Sequence, residues 1–538
     1  MTDVASVLAG LCAEDGQFGL VASLAGQRCQ VSRLTWRSES AGASVTIDGA
    51  LDQKVLEIGS GVVLDRIVVT LGADARPLRY TRESGQQALS VIFEAGKAHA
   101  TLSDGATFDI DGADPDAVLD GNAPALTALL LRRSFACGGS VARRSDAFIA
   151  GQLLPFSYAV TAIDDGRWQS NLEETIAVDA DGRLQELFMP RQALLVREAD
   201  EADLGLLAKA PRAASPPART AHPAMETREF EVGIPGGAVT ALVRVPAGTV
   251  RGHTVLVLPG SGRIDRFGRA GSIDTGLGEI VEAIALAGHA TMTADQPGSG
   301  DSKLPADALS GGYRSNIEMA NALLDAALAQ RESEGAVALV GHSLGGVLAL
   351  ELAVRRPDAV AALALLAAPG RPLDQVIEDQ IRWIGERRGL DVGTVAEQVA
   401  EHRELIALIR TVPDWTSETV AERFLAQART RDWLAGLIDT DPAALAAKVR
   451  CPLFVAQGGR DVQVSADRDF ARLAAARPSA EAHLYPGLNH LFRPAEEGEG
   501  IADYDRADAP VAAALLDDLT RFLNRTHGPI PFHDEAGS

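Results

Sequence analysis

The segment Ala336–Asp358, AVALVGHSLGGVLALELAVRRPD, joins an apolar run to a helical pattern through a serine flanked by glycines. An uninterrupted apolar run is typical of a strand buried on both faces, as in parallel sheets covered by helices. The turn around Ser343 is tight, and Gly341 and Gly345 fit it because a Cβ there would clash with the neighbouring backbone. The segment therefore predicts a strand, a sharp turn and a helix of an α/β domain.

The same alternation continues through most of the sequence after residue 228. Apolar runs separated by helical segments indicate a mostly parallel, doubly wound sheet with helices on both faces. The runs are HTVLVLPG, ATMTADQPG, AVALVGHS, VAALALLAAPG and CPLFVAQGG. Between about residues 373 and 449 the order changes to mostly helical sequence. This insertion is predicted to form a helical lid over the carboxyl ends of the strands.

The apolar residues before residue 207 follow a different pattern. Segments such as VLEIGSGVVLDRIVVTLG alternate apolar and polar residues and end in Asp/Gly turns, which is typical of antiparallel sheets with one covered face. One helix is predicted near APALTALLLRRSFA. We therefore predict a strand-rich, mainly antiparallel N-terminal domain over 1–206, an Ala/Pro-rich linker over 207–227, a second domain over 228–528 and a tail over 529–538. The sequence does not decide whether the first domain is a scaffold, shapes access to a substrate, binds an apolar ligand or forms a homodimer surface.

Composition excludes several classes of function. The formal net charge of −23 argues against nucleic acid or an anionic membrane as the main partner. The 4 cysteines are widely spaced and form no CxxC pair, so neither a disulfide framework nor a zinc site is predicted. The N-terminal residues lack a basic region ahead of the apolar ones, and no apolar run is long enough for a membrane span. We expect a cytoplasmic protein without metal or cofactor.

A serine presented on such a turn is a candidate nucleophile, and it needs a histidine base that a carboxylate orients. In the G-x-S-x-G turn of α/β enzymes, the chain order is serine, acid, histidine. Asp461 follows the apolar run CPLFVAQGG, and His490 lies in HLYPGLNHLF, just after the next strand-like run. We predict Ser343 as the nucleophile, Asp461 as the acid and His490 as the base.

Four neighbouring residues are weaker candidates for these roles. His483 lies within the predicted strand before His490 and is expected to pack there. His342 is adjacent to the nucleophile and too close in sequence to turn back as its base. Asp467 and Asp469 are predicted to open the helix after Asp461, where acidic side chains suit the helix dipole.

An oxyanion hole requires two backbone N–H donors close to the nucleophile. The residue after the serine, Leu344, is predicted to supply one of them. The loop in VLVLPGSGRIDR has glycines that let the backbone approach a substrate, and the N–H of Ser261 is predicted as the second donor. In the same loop we expect Asp265 and Arg266 to form a structural ion pair, with a contact from Arg266 to a substrate carboxylate as the alternative.

Five motifs, LPGSGRIDR, ADQPGSGDS, GHSLGG, GGRDVQV and PGLNHLF, occur in the order typical of the α/β-hydrolase superfamily. On these motifs the region from about residue 228 to 523 resembles that superfamily. Its GSG-x-x-DR loop is similar to that of bacterial serine hydrolases of the esterase, prolyl-oligopeptidase-like and serine-aminopeptidase-like branches. One departure is that Pro259-Gly260 replaces the common His-Gly before the oxyanion residue. The N-terminal half resembles no named family.

The resemblance implies an α/β-hydrolase fold and a catalytic triad with two backbone oxyanion donors, and the corresponding residues are Ser343, Asp461 and His490 with Ser261 and Leu344. We expect a serine hydrolase that cleaves a carboxylic ester or thioester of a small-molecule acyl substrate through an acyl-enzyme. The same triad also serves amide and carbon–carbon bond hydrolysis and acyl transfer, and a binding protein on this fold is the alternative outside enzymes.

Overall fold

The structure of the chain is a computed structural model, which describes the chain in part. The described residues are 8, 17–24, 26–52, 55–56, 62–84, 87–94, 96–102, 107–120, 123–136, 142–149, 154–164, 167–179, 183–190, 193–207, 225–235, 237–247, 250, 252–270, 273–302, 312–331, 336–415, 419–421, 424, 431–504 and 509–526. Most of the predicted linker (208–224) and the whole predicted tail (529–538) lie outside these ranges.

The chain forms two compact units, each assembled from two stretches of sequence. The first consists of Met1–Ala214 and Ile381–Arg429, and the second consists of Ser215–Gln380 and Thr430–Ser538. The prediction grouped residues 373–449 with the second domain, whereas the structure groups most of them with the first unit. In that unit Leu390 packs against the apolar core, and the Arg388 side chain donates a hydrogen bond to the Leu56 carbonyl.

Among its described residues, the first unit contains one sheet of 15 strands. They are β1 (Gln17–Leu24), β2 (Gln27–Glu39), β3 (Gly42–Asp52), β4 (Val62–Gly72), β5 (Pro77–Ser84), β6 (Gln87–Glu94), β7 (Lys97–Leu102), β8 (Thr107–Asp111), β9 (Ala117–Leu119), β10 (Ala142–Ile149), β11 (Leu154–Asp164), β12 (Arg167–Ser170), β13 (Thr175–Val178), β14 (Leu184–Met189) and β15 (Leu194–Glu198). The order across the sheet runs from β8 down to β1, continues with β15 and descends to β9.

Neighbouring strands of this sheet are antiparallel, except for the parallel pair β9–β10. The predicted strand-rich, mainly antiparallel N-terminal region is therefore confirmed. Strand β3 shows the physical basis, because every second residue from Ala43 to Ile47 is buried while those between are partly exposed. The predicted helix is also present, and its Leu126 and Leu130 side chains are buried in the core that this face of the sheet forms.

The part of the second unit that the structure describes contains a sheet of 8 strands and a two-stranded sheet. The strands are β16 (Met225–Ile234), β17 (Gly237–Pro246), β18 (Thr254–Leu258), β19 (Arg269–Ala270), β20 (Ile273–Asp274), β21 (Ala290–Ala294), β22 (Val337–His342), β23 (Val360–Leu366), β24 (Leu453–Gly458) and β25 (Glu481–Tyr485). The larger sheet has the order β16-β17-β21-β18-β22-β23-β24-β25. From β21 to β25 the neighbours are parallel, and the β16–β17 hairpin joins the β21 edge antiparallel.

The helices connect these strands and complete both units. They are α1 (Pro124–Ala136), α2 (Glu201–Leu207), α3 (Leu277–Leu286), α4 (Gly312–Ala329), α5 (Leu344–Arg355), α6 (Leu373–Arg387), α7 (Val392–Thr411), α8 (Arg431–Ile438), α9 (Pro442–Ala446), α10 (Ala471–Ala476) and α11 (Ala513–Thr526). A π-helical turn, Ala466–Phe470, precedes α10, and a 3₁₀ turn, Ile501–Asp503, precedes α11. Among the described residues no helix combines the length and the apolar character needed to cross a bilayer.

Strand β22 lies in the middle of the parallel sheet, between β18 and β23. Its side chains alternate between two apolar layers: Val337 and Leu339 belong to the layer with α4 and α5, and Ala338 and Val340 belong to the layer with α3 and α11. All four are fully buried. Burial on both faces explains the uninterrupted apolar run, and it holds the carboxyl end of β22, where Ser343 follows, in a rigid frame.

Removal of a large side chain from the second layer tests how far this unit depends on its packing. Phe454 of β24 is 0% exposed, and its ring centroid lies 5.4 Å from that of Phe522 in α11. We expect Phe454→Ala to lower the free energy of unfolding by about 3–5 kcal/mol, because the lost transfer energy is joined by the cost of a cavity. Urea unfolding followed by circular dichroism at the helix band measures it.

Leu484 of β25 provides the matched control, since its side chain is 47% exposed. Leu484→Ala is expected to change the free energy of unfolding by no more than about 0.5 kcal/mol. Equal effects of the two substitutions would contradict this account of the core.

Candidate active site

Ser343 occupies the single residue between the end of β22 and the start of α5. Its backbone angles are φ 53° and ψ −124°, in a region that non-glycine residues rarely adopt and that costs about 1–3 kcal/mol. Two backbone hydrogen bonds hold this turn: the Ser343 N–H donates to the Leu366 carbonyl at 2.8 Å, and the Ser343 carbonyl accepts from the Gly346 N–H at 2.9 Å. The turn therefore presents the serine side chain at the carboxyl edge of the parallel strands.

The glycines around the serine are required by close backbone contacts. A Cβ on Gly341 would lie 2.4 Å from the Gly345 carbonyl oxygen. A Cβ on Gly345 would lie 2.2 Å from the Leu258 carbonyl oxygen, at the end of β18. Both distances are far below van der Waals contact with atoms that cannot move aside, so any larger residue would displace the strand-to-helix turn.

Asp461 and His490 are brought together after β24 and β25, respectively. The His490 Nδ1–H donates to Asp461 Oδ2 at 2.7 Å, and the two side chains are 5% and 0% exposed. The other carboxylate oxygen, Oδ1, accepts the backbone N–H groups of Gln463 and Val464 at 2.8 and 3.0 Å. The Gln457 amide also donates to Oδ2 at 2.7 Å. These donors fix the carboxylate and the oxygen that orients the imidazole.

Two aromatic rings flank the His490 imidazole. Tyr504, which follows the 3₁₀ turn, stacks on it with ring centroids 6.3 Å apart and planes within 16°. The Tyr504 hydroxyl accepts the Val462 N–H at 3.3 Å, and burial raises the pKa of this phenol well above its ordinary value. On another side the His342 ring lies 4.8 Å from His490, and its Nε2–H donates to the His490 carbonyl at 2.9 Å. Sequence reasoning rejected His342 as a base and found no other role for it.

The loop after β18, residues 259–266, reaches the nucleophile. A Cβ on Gly260 would lie 3.0 Å from the Ser343 Cβ. The side chain of Gln296, which follows β21, supports this loop twice: its amide donates to the Gly260 carbonyl at 2.8 Å, and its Oε1 accepts the Ile264 N–H at 2.9 Å. Ser261 lies between these two anchored residues and is exposed, while Leu344 begins α5.

The structure does not contain the predicted ion pair between Asp265 and Arg266. The Asp265 carboxylate caps its own turn by accepting two backbone N–H groups of the following residues at 2.9 Å. Arg266 instead pairs with Asp295 at 2.6 Å, Asp301 at 2.5 Å and Glu229 at 2.9 Å. With its side chain 7% exposed and three carboxylates around it, Arg266 braces the 259–266 loop and is not available to a substrate carboxylate.

The alternative acid and base candidates lie elsewhere. Asp469 is fully buried in the π-helical turn, where it accepts two hydrogen bonds from the Arg371 guanidinium at 2.7 and 3.1 Å. Asp467 is exposed on the same turn. His483 lies in β25, stacked on Phe454. In the described part of the chain no group of three or more His, Cys, Asp or Glu side chains has an arrangement that would hold a metal ion.

The buried His342 makes the stability of the protein depend on pH. Burial and, to a smaller extent, the adjacent His490 lower the pKa of His342 to about 4, while the hydrogen bond to the His490 carbonyl and the charge of Asp461 oppose this change. An unfolded histidine titrates near about 6.5, so between pH 6.5 and about 4 the unfolded chain binds a proton that the folded chain does not. The contribution to stability is complete above this window and is lost as the pH falls through it.

We expect the free energy of unfolding of the wild type to fall by up to about 3 kcal/mol more than that of His342→Gln between about pH 7.5 and about pH 4. Urea unfolding at each pH measures the difference. His490 and Asp461, the two titratable groups near His342, are present in both proteins. Parallel pH curves for the two proteins would contradict the assignment of a neutral, buried His342.

The chain is similar in sequence to several known proteins. The family model described as "Serine aminopeptidase, S33" matches residues 270–494. Esterase EstD of Thermotoga maritima is 27% identical over 200 residues, which cover 36% of this chain and 44% of the esterase. Lipase LipV of Mycobacterium tuberculosis is 53% identical over 47 residues, which cover 9% of this chain and 18% of the lipase. The chain thus spans less than half the length of these two relatives.

Among solved structures, the proline iminopeptidase of Mycobacterium smegmatis aligns with 56% of this chain and 98% of its own at 18% identity, with a TM-score of 0.37. The region that the family model matches, residues 270–494, contains Ser343, Asp461 and His490. On the family-model match, the C-terminal half of this chain is similar to α/β-hydrolases of the serine aminopeptidase S33 family.

Proposed function

We propose that the protein is a serine hydrolase that cleaves a carboxylic ester or thioester of a small-molecule acyl substrate. The observation that carries the proposal is the 2.7 Å hydrogen bond between Asp461 and His490 in a unit that also places Ser343 on a strained strand-to-helix turn. A buried carboxylate, an imidazole that it orients and a serine held by its backbone are the parts that acyl transfer through a covalent intermediate requires.

In the proposed reaction His490 takes the proton of the Ser343 hydroxyl as the oxygen attacks the substrate carbonyl carbon. Asp461 holds the Nδ1–H tautomer, so that Nε2 is the basic nitrogen, and it stabilises the imidazolium that forms. The imidazolium then protonates the leaving alcohol or thiol as the carbonyl re-forms, which leaves an acyl-enzyme. Water attacks the acyl-enzyme with the same proton transfers and restores the free serine.

The tetrahedral intermediate carries an oxyanion, and the proposed donors are the backbone N–H groups of Leu344 and Ser261. Leu344 begins α5, where the helix dipole also favours negative charge. Ser261 follows Gly260, where an added Cβ would lie 3.0 Å from the Ser343 Cβ, and Gln296 anchors the loop on both sides of Ser261. Donors that are fixed before the reaction need no reorganisation when charge develops, and one such donor contributes about 10²–10³-fold to the rate.

The names of the relatives favour two kinds of scissile bond. The esterase and lipase names favour an ester, whereas the description of the matched family model favours the amide bond of an aminoacyl substrate as the second candidate. A panel of p-nitrophenyl esters, acyl thioesters and aminoacyl p-nitroanilides separates the two. Turnover of the anilides with no turnover of any ester would overturn the ester proposal and leave the hydrolase class intact.

The nucleophile is tested by covalent labelling with a fluorophosphonate probe. We expect Ser343→Ala to abolish both labelling and hydrolysis, because no other hydroxyl is placed on the strained turn, and peptide mass spectrometry should locate the probe on Ser343 of the wild type. Ser315→Ala in α4 is the matched control and should retain both. Undiminished labelling of Ser343→Ala, or an unlabelled wild type, would contradict the proposed function.

The acid is tested by Asp461→Asn, which preserves the size of the side chain but removes its charge. We expect kcat to fall by about 10³–10⁴-fold, since the amide can no longer hold the productive tautomer or stabilise the imidazolium. Asp467→Asn, at an exposed site six residues further along the chain, should leave steady-state kinetics unchanged. A loss of less than tenfold in Asp461→Asn would assign the acid to another residue.

A further inference from the structure

We propose that His342 is a positioning residue for the catalytic base: its neutral imidazole fixes the backbone of His490 by donating the Nε2–H to the His490 carbonyl. This inference rests on the proposed function, since it concerns how His490 is held for proton transfer. It gives a role to a buried titratable side chain that the proposed mechanism does not otherwise use.

The geometry determines which ring nitrogen of His342 donates a hydrogen bond. A carbonyl oxygen can only accept a hydrogen bond, so the 2.9 Å contact with the His490 carbonyl places the proton of His342 on Nε2. The residue is 4% exposed, and its ring packs against that of His490 at 4.8 Å with an angle of 57° between the planes. The two histidines therefore meet twice, once through the backbone of His490 and once through its ring.

His490 needs such support because it lies outside any helix or strand. It follows β25 on an irregular segment, where no repeating ladder of hydrogen bonds determines the position of its backbone. The preceding Asn489 organises part of this segment, as its side-chain oxygen accepts the N–H groups of Leu491 and Arg493 at 3.0 and 3.1 Å. The His490 carbonyl itself is held by His342, which belongs to the rigid central strand.

His342 also touches the third part of the site. A Cβ on Gly260 would lie 3.4 Å from His342 Nδ1, so the imidazole borders the 259–266 loop. Within the described part of the chain Nδ1 is buried and has no hydrogen-bond partner. His342 is thus next to Ser343 in sequence and is hydrogen-bonded to the His490 carbonyl. Its ring also borders the loop that contains the second proposed oxyanion donor.

The neutral state suits this role. Burial holds the pKa of His342 near 4, and the nearby His490 disfavours a second positive charge. His342 therefore stays uncharged in neutral solution while His490 gains and loses a proton in each cycle. A permanent cation at this place would oppose formation of the His490 imidazolium, whereas the neutral ring supplies a hydrogen bond without that repulsion.

The test compares two substitutions of similar volume in the full-length protein. His342→Gln keeps an N–H donor at the distance of Nε2, and His342→Met keeps the packing but has no donor. We expect His342→Met to lower kcat by about 10- to 100-fold with KM within about threefold of the wild type, because a small displacement of a catalytic group costs rate without costing binding. His342→Gln should recover most of kcat.

A spectroscopic measurement separates positioning from packing. The hydrogen bond from His490 Nδ1–H to Asp461 should give a low-field proton resonance that is absent from Asp461→Asn. We expect this resonance to shift or broaden in His342→Met and to return in His342→Gln. His289→Gln is the matched control, since His289 is also fully buried but precedes β21 at the opposite end of the strands, and it should leave the resonance and kcat unchanged.

Each outcome decides the proposal. Wild-type kcat and an unchanged resonance in His342→Met would overturn it, and so would equal losses in His342→Gln and His342→Met. If His342→Met does not fold, His342→Asn takes its place, because its shorter side chain does not reach the His490 carbonyl. If the proposed function itself is wrong, the fluorophosphonate probe does not label the wild type. This result distinguishes failure of the proposed function from failure of the role of His342.

Discussion

The backbone crossing at Ser343, where the end of β22 meets the start of α5, leaves no space for a side chain at Gly341 or Gly345. A positive φ at Ser343 follows from this crowding, and the strain is maintained by packing on both faces of the central strand. The same turn sets the direction of the serine side chain and places the first N–H groups of α5 beside it. Everything else in the candidate site is arranged around a position that the backbone cannot easily leave.

Three other strands of the same sheet supply the remaining parts of the site at their carboxyl ends. The 259–266 loop follows β18, Asp461 follows β24, and His490 follows β25. Each loop has buried polar contacts that fix it: Gln296 and Arg266 hold the first, backbone N–H groups hold the Asp461 carboxylate, and His342 holds His490. Buried polar groups are costly unless paired, so these contacts make each loop conformation specific.

Several features of the fold could be predicted from local sequence. Largely apolar runs identified the strands β18, β21, β22, β23 and β24, because a strand buried on both faces favours apolar residues at most positions. Alternating residues identified the antiparallel sheet of the first unit. The assignment of residues 381–429 to that unit could not be predicted. An amphipathic helix shows which of its faces is buried, but nothing in its pattern says which core covers that face.

The sequence by itself determined the candidate triad residues, since a glycine-flanked serine, an acid after one strand and a histidine after the next are local patterns in a known order. Only the tertiary structure decided how these residues are supported. Arg266 was expected to pair with its neighbour Asp265, yet it binds Asp295, and His342, adjacent to Ser343 in sequence, contacts the backbone of a residue 148 positions away. The physical reason is that hydrogen bonds and ion pairs depend on distances in space, which the packing of the whole sheet sets and which no local pattern of residues records.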